Sequence, residues 1–526
     1  MHAAAKTDRA RIDGPAIFAV AAFLTGLGLV AALARVGAPD RLVEALGPLI
    51  AFVGLMIIGV MTRTARHVDF LAARRAVPPV YGGLAFAATA VGFVVALDAG
   101  AIGRSPLPWP AVALGLVGAA LIVGPLLRRA NASALSDILA TRFPGPPTRW
   151  AFAVALWCVG VLIATAGFHT AVDVVVAYVG QSRRAAEIVV ALSLAMSIVP
   201  GGLQGLLWSD AASAGGALAI AATGAGLAWS GVGAPAPPLA QTAAAWLALP
   251  LVETARAWFA LPLAQTAGAW LASPLVRADS ASLLFGAAST LGVGALFAFS
   301  QAAIGAPPMR ARRTGLYGLA FVLVGLALGA TALSAFWPDA AAAARSPTAG
   351  ALVGAATWLP ALAFARAGVL GAARAAGVDL ATAYARLTVL ASQRLARIRL
   401  MMLCVIVLAA VVSDLRLVDP LRAIVLALAL TLALIVPSLA LALVSRGRSS
   451  AALAALAAGL AVLAWRVFPA GLSANASEIL IGALIAGAAA LLVGAVVGVI
   501  APGAVGAQKI GARADPFVDL PFAAMD

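Results

Sequence analysis

Apolar runs of transmembrane length, separated by short arginine-bearing loops, fill the chain from near its start to about residue 500. They lie at about 15–35, 45–62, 80–101, 109–127, 150–178, 185–199, 203–230, 281–303, 315–336, 351–376, 398–414, 421–442, 452–467 and 478–499. A helix needs about 20 apolar residues to cross the hydrocarbon core, and most of these runs are close to that length. None shows the polar/apolar alternation of a membrane β-strand, so the backbone closes its hydrogen bonds within helices. The pattern predicts an all-α polytopic membrane protein with about 14 transmembrane helices.

The loops set the orientation. Arginines concentrate in the even-numbered connections, from Arg63, Arg66, Arg74 and Arg75 through Arg310, Arg312 and Arg313 to Arg446 and Arg448. Cytoplasmic loops carry such an excess, so these connections and both termini are expected inside, in a bacterial inner membrane. Arg183 and Arg184 are the exception, in an odd-numbered connection. The basic stretch Lys6 to Arg11 precedes an apolar run longer than a signal-peptide core, which reads as an uncleaved first helix.

Composition narrows the function. The chain is 63% hydrophobic and 10% charged, with a mean hydropathy of +1.04. Its net charge of +15 is spread between apolar runs rather than gathered on one face. That is the signature of membrane orientation, with the lipid bilayer and not nucleic acid as partner. Cys158 and Cys404 fall within apolar runs and His2, His67 and His169 are dispersed. No disulfide framework, metal site or cofactor is expected. No nucleophile–base constellation or phosphate loop points to an enzyme.

The segment 235–278 stands apart. It holds three 12-residue units, Leu239 to Pro250, Leu251 to Pro262 and Leu263 to Pro274, with Leu, Thr and Trp on one helical face (Trp246, Trp258 and Trp270). The terminal prolines interrupt any continuous helix. One reading is a row of short amphipathic helices at the periplasmic membrane face, with Trp at headgroup level or docked on a membrane-protein partner. The other is a tandem duplication tolerated in a surface loop. The two are compatible.

Three motifs carry a resemblance. Asp69-Phe-Leu-Ala-Ala-Arg-Arg leads through Pro78-Pro79 to Gly82-Gly-Leu-Ala-Phe-Ala-Ala-Thr-Ala-Val-Gly92; Pro200-Gly-Gly-Leu-Gln-Gly-Leu-Leu-Trp-Ser-Asp210 follows; Val378-Asp379-Leu380 precedes a basic stretch to Arg399. In order and spacing they resemble the sodium:solute symporter family, acetate-like branch, over about 69–463. The resemblance implies the leucine-transporter-type inverted repeat of five plus five helices, with a site at midplane where the first helix of each repeat is broken. It divides the chain into 1–78, two N-terminal helices and a basic loop; 79–230, the first repeat; 231–280, the Trp-containing units; 281–442, the second repeat; and 443–526, two C-terminal helices and a tail. Gly82, Gly83 and Gly92 in one first helix and Gly286, Gly292 and Gly294 in the other either make the breaks or serve close helix packing. Gly201 and Gly202 suit a tight turn, and Trp208 with Asp210 suits a membrane boundary.

The family's chemistry is missing where it is expected. A sodium ion needs about five oxygens. Yet Thr89 and Gly92 stand where the family has Asp and Ser, and Ala363 and Phe364 where it has two hydroxyls. Arg366 lies in that helix instead, and an intramembrane arginine needs a reason. Its guanidinium stands in for sodium, or pairs with Asp98 or Asp173 as a lock, or snorkels. Thr89, Gly92, Thr165, Ser289, Thr290 and Arg366 are therefore the candidate substrate and ion region. His169 and Asp173, four apart on one face, are candidates for a proton relay or an interhelical hydrogen bond. Two functions follow. The first is a secondary transporter of a small organic solute, such as a monocarboxylate, by alternating access, with sodium a candidate co-substrate. The second is a transport-inactive accessory subunit of a larger membrane complex.

Overall fold

A computed structural model describes residues 35–99, 107–129, 135–143, 145–229, 280–300, 302–307, 310–336, 347–380, 391–444, 448–470 and 475–500, with a few positions between 21 and 33. The described chain is helical throughout. Its elements are α1 (Asp40–Met61), α2 (His67–Ala72), α3 (Pro79–Ala99), α4 (Trp109–Gly118), α5 (Gly124–Arg129), α6 (Leu135–Arg142), α7 (Pro146–Val179), α8 (Arg183–Ile198) and α9 (Gly202–Trp229). These are followed by α10 (Ser280–Leu296), α11 (Ala311–Phe336), α12 (Pro347–Arg374), α13 (Ala391–Asp414), α14 (Pro420–Leu430), α15 (Val436–Val444), α16 (Ser449–Ala470) and α17 (Ala476–Ile500). Short π-helical turns at Ala119–Val123 and Thr431–Ile435 join α4 to α5 and α14 to α15.

Eleven spans among the described residues are long and apolar enough to cross a membrane, or twelve when α8 and α9, bent by 118° to one another, count as one. The sequence count takes α8 and α9 as two spans. Its first span, 15–35, falls mostly outside the described residues, as do the Trp-containing units at 235–278. The bend follows from Gly201 and Gly202. Gly202 has φ +58, and a Cβ there would come 2.6 Å from the Phe70 carbonyl oxygen. Only glycine fits that backbone without strain. Leucines such as Leu114, Leu323 and Leu492 face outward, as helices solvated by lipid require.

The most extensive helix pair is α7 with α12. Lipid offers no hydrophobic drive to join apolar helices, so close van der Waals contact must hold them, and small residues permit it. Gly160 and Gly167 on α7 face Ala372 and Ala365 on α12, and Gly368 on α12 faces Ala164. A Cβ on Gly167 would lie 2.5 Å from the Ala365 nitrogen, and one on Gly368 would lie 2.4 Å from the Ala164 nitrogen. The span in α12 is 83% buried, the deepest of the described spans, with α3, α7 and α9 packed around it.

Arginines at one end of the bundle bind backbone carbonyls. Arg399 donates to the carbonyls of Thr64 (2.5 Å) and Pro200 (3.2 Å) and lies 5.3 Å over the Phe70 ring. Arg374 donates to Leu71, and Arg128 to Ala306 at 2.8 Å. Arginines on α5, α12 and α13 thus satisfy carbonyls of neighbouring turns and helix ends.

The α7–α12 contact can be tested with Gly167→Leu. Overpacking of about 1–3 kcal/mol is expected, seen as a lower thermal unfolding midpoint in detergent. Gly54→Leu, where no atom lies within 4 Å of the new Cβ, should shift stability by less than about 0.5 kcal/mol.

Candidate functional site

Arg366 sits where α3, α9 and α12 converge. Ala88, Ala214 and Ala363, one from each helix, form a buried cluster with Leu84 against it, and these small side chains leave room for a guanidinium one turn along α12. Arg366 is 0% exposed, so it does not snorkel. Its Nε donates to Asp210 Oδ1 at 2.7 Å and its Nη2 to Ser213 Oγ at 2.7 Å. Ser213 in turn donates to the Ser209 carbonyl at 2.7 Å, which leaves its oxygen free to accept from Arg366. Asp210 and Ser213 are likewise 0% exposed. Arg366 Nη1 and Asp210 Oδ2 have no protein partner although both are buried.

One expectation is corrected here. The partner of Arg366 is Asp210, not Asp173, which pairs with Arg183, and the Asp98 side chain lies outside the described residues. Trp208, two residues before the fully buried Asp210, stacks at a tilt on Tyr81 in the first turn of α3, 4.7 Å between centroids.

The expected break in the first core helix is absent. α3 runs as one α-helix from Pro79 to Ala99, past both Thr89 and Gly92. The glycine serves approach instead: a Cβ on Gly92 would come 2.0 Å from the Pro360 carbonyl oxygen on α12. Thr89 Oγ1 donates to the Ala85 carbonyl of its own helix at 3.1 Å, and α3 keeps its α-helical pattern on both sides of it. α10 does change, from α-helix to a 3-10 turn at Phe297–Ser300. Ser289 and Thr290 donate back to Phe285 and Gly286 of α10 at 2.8 and 2.9 Å.

Aromatic side chains fill the centre. Phe93 meets Phe364 edge-on at 5.7 Å and Phe297 edge-on at 5.5 Å, and Phe86 lies 5.6 Å from Phe297. Beside them is a cavity of about 10 Å³ lined by Thr89, Ile163, Leu296, Phe297, Phe299, Phe364 and Ala367, enough for about one water. Thr89 reaches this cavity. Thr165, buried on α7, and Ser289 and Thr290 do not line it.

His169 and Asp173 belong to a second group, around Arg183. The Arg183 guanidinium lies 2.9 Å from Asp173 Oδ1, 3.0 Å from His169 Nε2, 3.1 Å from Ser413 Oγ and 3.3 Å from Glu187 Oε1. Arginine only donates, so Nε2 accepts from Arg183, while Nδ1 is buried without a partner. The His169–Asp173 separation is 3.5 Å. The group ties α7, α8 and α13 together. Sequence spacing exposed the i,i+4 pair, and Arg183 stood out as an arginine in an odd-numbered connection, whereas Ser413, 230 residues from Arg183, gave no local signal.

A solved structure of a Na+-coupled sialic acid symporter, in a substrate-bound outward-open state, superimposes on this chain with a TM-score of 0.63 at 16% identity. The match covers 89% of this chain and 99% of that one. The fold is that of a sodium-coupled symporter. No family model matches the sequence, and no curated protein matches it. The likeness is therefore one of architecture, the leucine-transporter-type helix arrangement.

Removing one partner of a buried ion pair strands the other charge. Asp210→Ala should cost about 3–5 kcal/mol in denaturant unfolding, and the double variant Asp210→Leu with Arg366→Met should recover most of it. Arg183→Ala should cost less than Asp210→Ala, because the Asp173 side chain is 44% exposed and solvent screens that pair, and most of the loss should come from the buried Glu187.

Proposed function

We propose that the chain is an inner-membrane secondary transporter, akin to the acetate-like branch of the sodium:solute symporters. It moves a small organic solute of the monocarboxylate type by alternating access, with the Arg366 guanidinium as a fixed cation in place of a bound sodium ion. The observation that carries this reading is the fully buried Arg366–Asp210 pair at the meeting of α3, α9 and α12. Positions read as sodium ligands hold Ala363 and Phe364, and Thr89 bonds to its own helix, so they offer no coordination shell. A charge fixed in the fold removes the need for one. In this reading both termini are cytoplasmic.

A second reading has its own support. The unbroken α3 and the contact of Phe93, Phe297 and Phe364 close the centre of the bundle. A symporter fold sealed in this way suits a transport-inactive accessory subunit that binds a membrane partner through 235–278.

Exchange of labelled pyruvate by purified protein in liposomes separates the two. The transporter reading expects equal exchange in sodium and in choline media. Exchange that requires sodium would overturn the fixed-cation assignment. No exchange by folded protein, with a stoichiometric partner found by mass spectrometry after gentle detergent extraction, would favour the accessory subunit.

A further inference from the structure

Arg366 and Asp210 leave two complementary polar atoms unused. Nη1 of the guanidinium has a free donor and Oδ2 of the carboxylate a free acceptor, each buried and without a protein partner. Buried polar atoms in such a position are costly unless something else satisfies them. The same helix places Phe364 and Ala367, on either side of Arg366, in the wall of the small cavity that Thr89 reaches. The unfilled donor on α12 and the unfilled acceptor on α9 thus belong to one buried pair, and the cavity lies along other residues of the same turn of α12.

The pair is electrically neutral as it stands. Among the described residues, the charged group facing Asp210 from the surrounding helices is Arg366, and its polar neighbours are Ser209 and Ser213. Ser209 Oγ is also buried without a partner. Net charge in so enclosed a place is strongly disfavoured. A monovalent anion arriving alone at Arg366 would leave the site at −1, and a proton arriving alone at Asp210 would leave it at +1. Arriving together they keep it neutral: the proton bonds to Asp210 Oδ2, the Arg366 Nε bond to Oδ1 is released, and the guanidinium turns its donors to the incoming carboxylate. A bidentate guanidinium–carboxylate contact is the strongest such arrangement available to that anion.

We propose that Asp210 and Arg366 form a binding site for one proton and one monocarboxylate anion, filled together. The inference deepens the transporter reading, since it names the coupling ion and the charge class of the solute. It also makes loading electroneutral, so a pH gradient drives it and membrane potential does not.

Isothermal titration of the purified full-length protein with acetate, lactate and pyruvate, in buffers of different ionisation enthalpy, counts the protons taken up per anion bound. The expected result is about one proton per anion, with affinity falling about tenfold per pH unit on the alkaline side. Asp210→Asn should bind with no proton uptake and no such pH dependence, and Arg366→Met should not bind. Wild-type binding without proton uptake would overturn the proposal, as would failure of all three anions to bind from acid to neutral pH. Because this is a binding measurement, it fails separately from the transporter reading. Proton-linked binding without exchange into liposomes would leave the site standing and remove the carrier. Where exchange occurs, accumulation driven by potential and not by a pH gradient would also overturn the proposal.

Discussion

A full positive charge held inside a membrane protein is the constraint on which the centre of this structure depends. Arg366 is 0% exposed and lies within a span whose neighbours are mostly Ala, Leu and Phe. The desolvation of such a group costs several kcal/mol even after the protein relaxes, so it persists only beside a well-placed opposite charge. Asp210 and Ser213 supply that environment from one face of α9, three residues apart and so on adjacent turns. Both helices are then committed: α9 must present this face to α12, and α12 must sit within 2.7 Å reach of it.

That commitment explains the prevalence of small residues around the site. For a guanidinium to meet a carboxylate without water between them, the helix axes must come close. Ala88, Ala214 and Ala363 allow this on the α3 and α9 sides. Gly92 lets α3 rest against the Pro360 carbonyl, and Gly160, Gly167 and Gly368 do the same between α7 and α12. The Arg183 group differs in kind. Asp173 and Arg183 are partly open to solvent while His169, Glu187 and Ser413 are buried, so solvent screens the Arg183–Asp173 part of the network that links α7, α8 and α13.

Much of the architecture was legible in the sequence, because run length and loop arginines are one-dimensional signals. The Gly201–Gly202 turn was legible too, since a positive φ selects glycine. The role of Arg366 was half legible: its burial in an apolar run marked it as exceptional, but its partner lies 156 residues earlier in the chain. Trp-x-Asp beside a helix end resembles an interfacial anchor, and nothing local in that motif points to Arg366 as the partner of Asp210. Gly92 was ambiguous for a different reason, since a glycine that breaks a helix and one that admits a neighbour look alike in sequence. The Pro360 carbonyl, more than 260 positions away, decides between them.

The same contacts restrict how the site can be reached. α7 and α12 touch through backbone atoms, and rigid elements packed in this way move as one body rather than sliding. α3 is held to α12 by the fit of Gly92 on Pro360. What remains adjustable around Arg366 is the aromatic group. Phe93, Phe297 and Phe364 touch by ring edges at 5.5–5.7 Å, and rings can change rotamer without breaking a backbone hydrogen bond. Phe297 also stands at the start of the 3-10 turn that ends α10, where backbone hydrogen bonding is already weaker than in an α-helix. The three rings are therefore the part of the centre that can rearrange with the least disturbance of backbone hydrogen bonds, whereas the α7–α12 contact cannot yield without parting backbone from backbone.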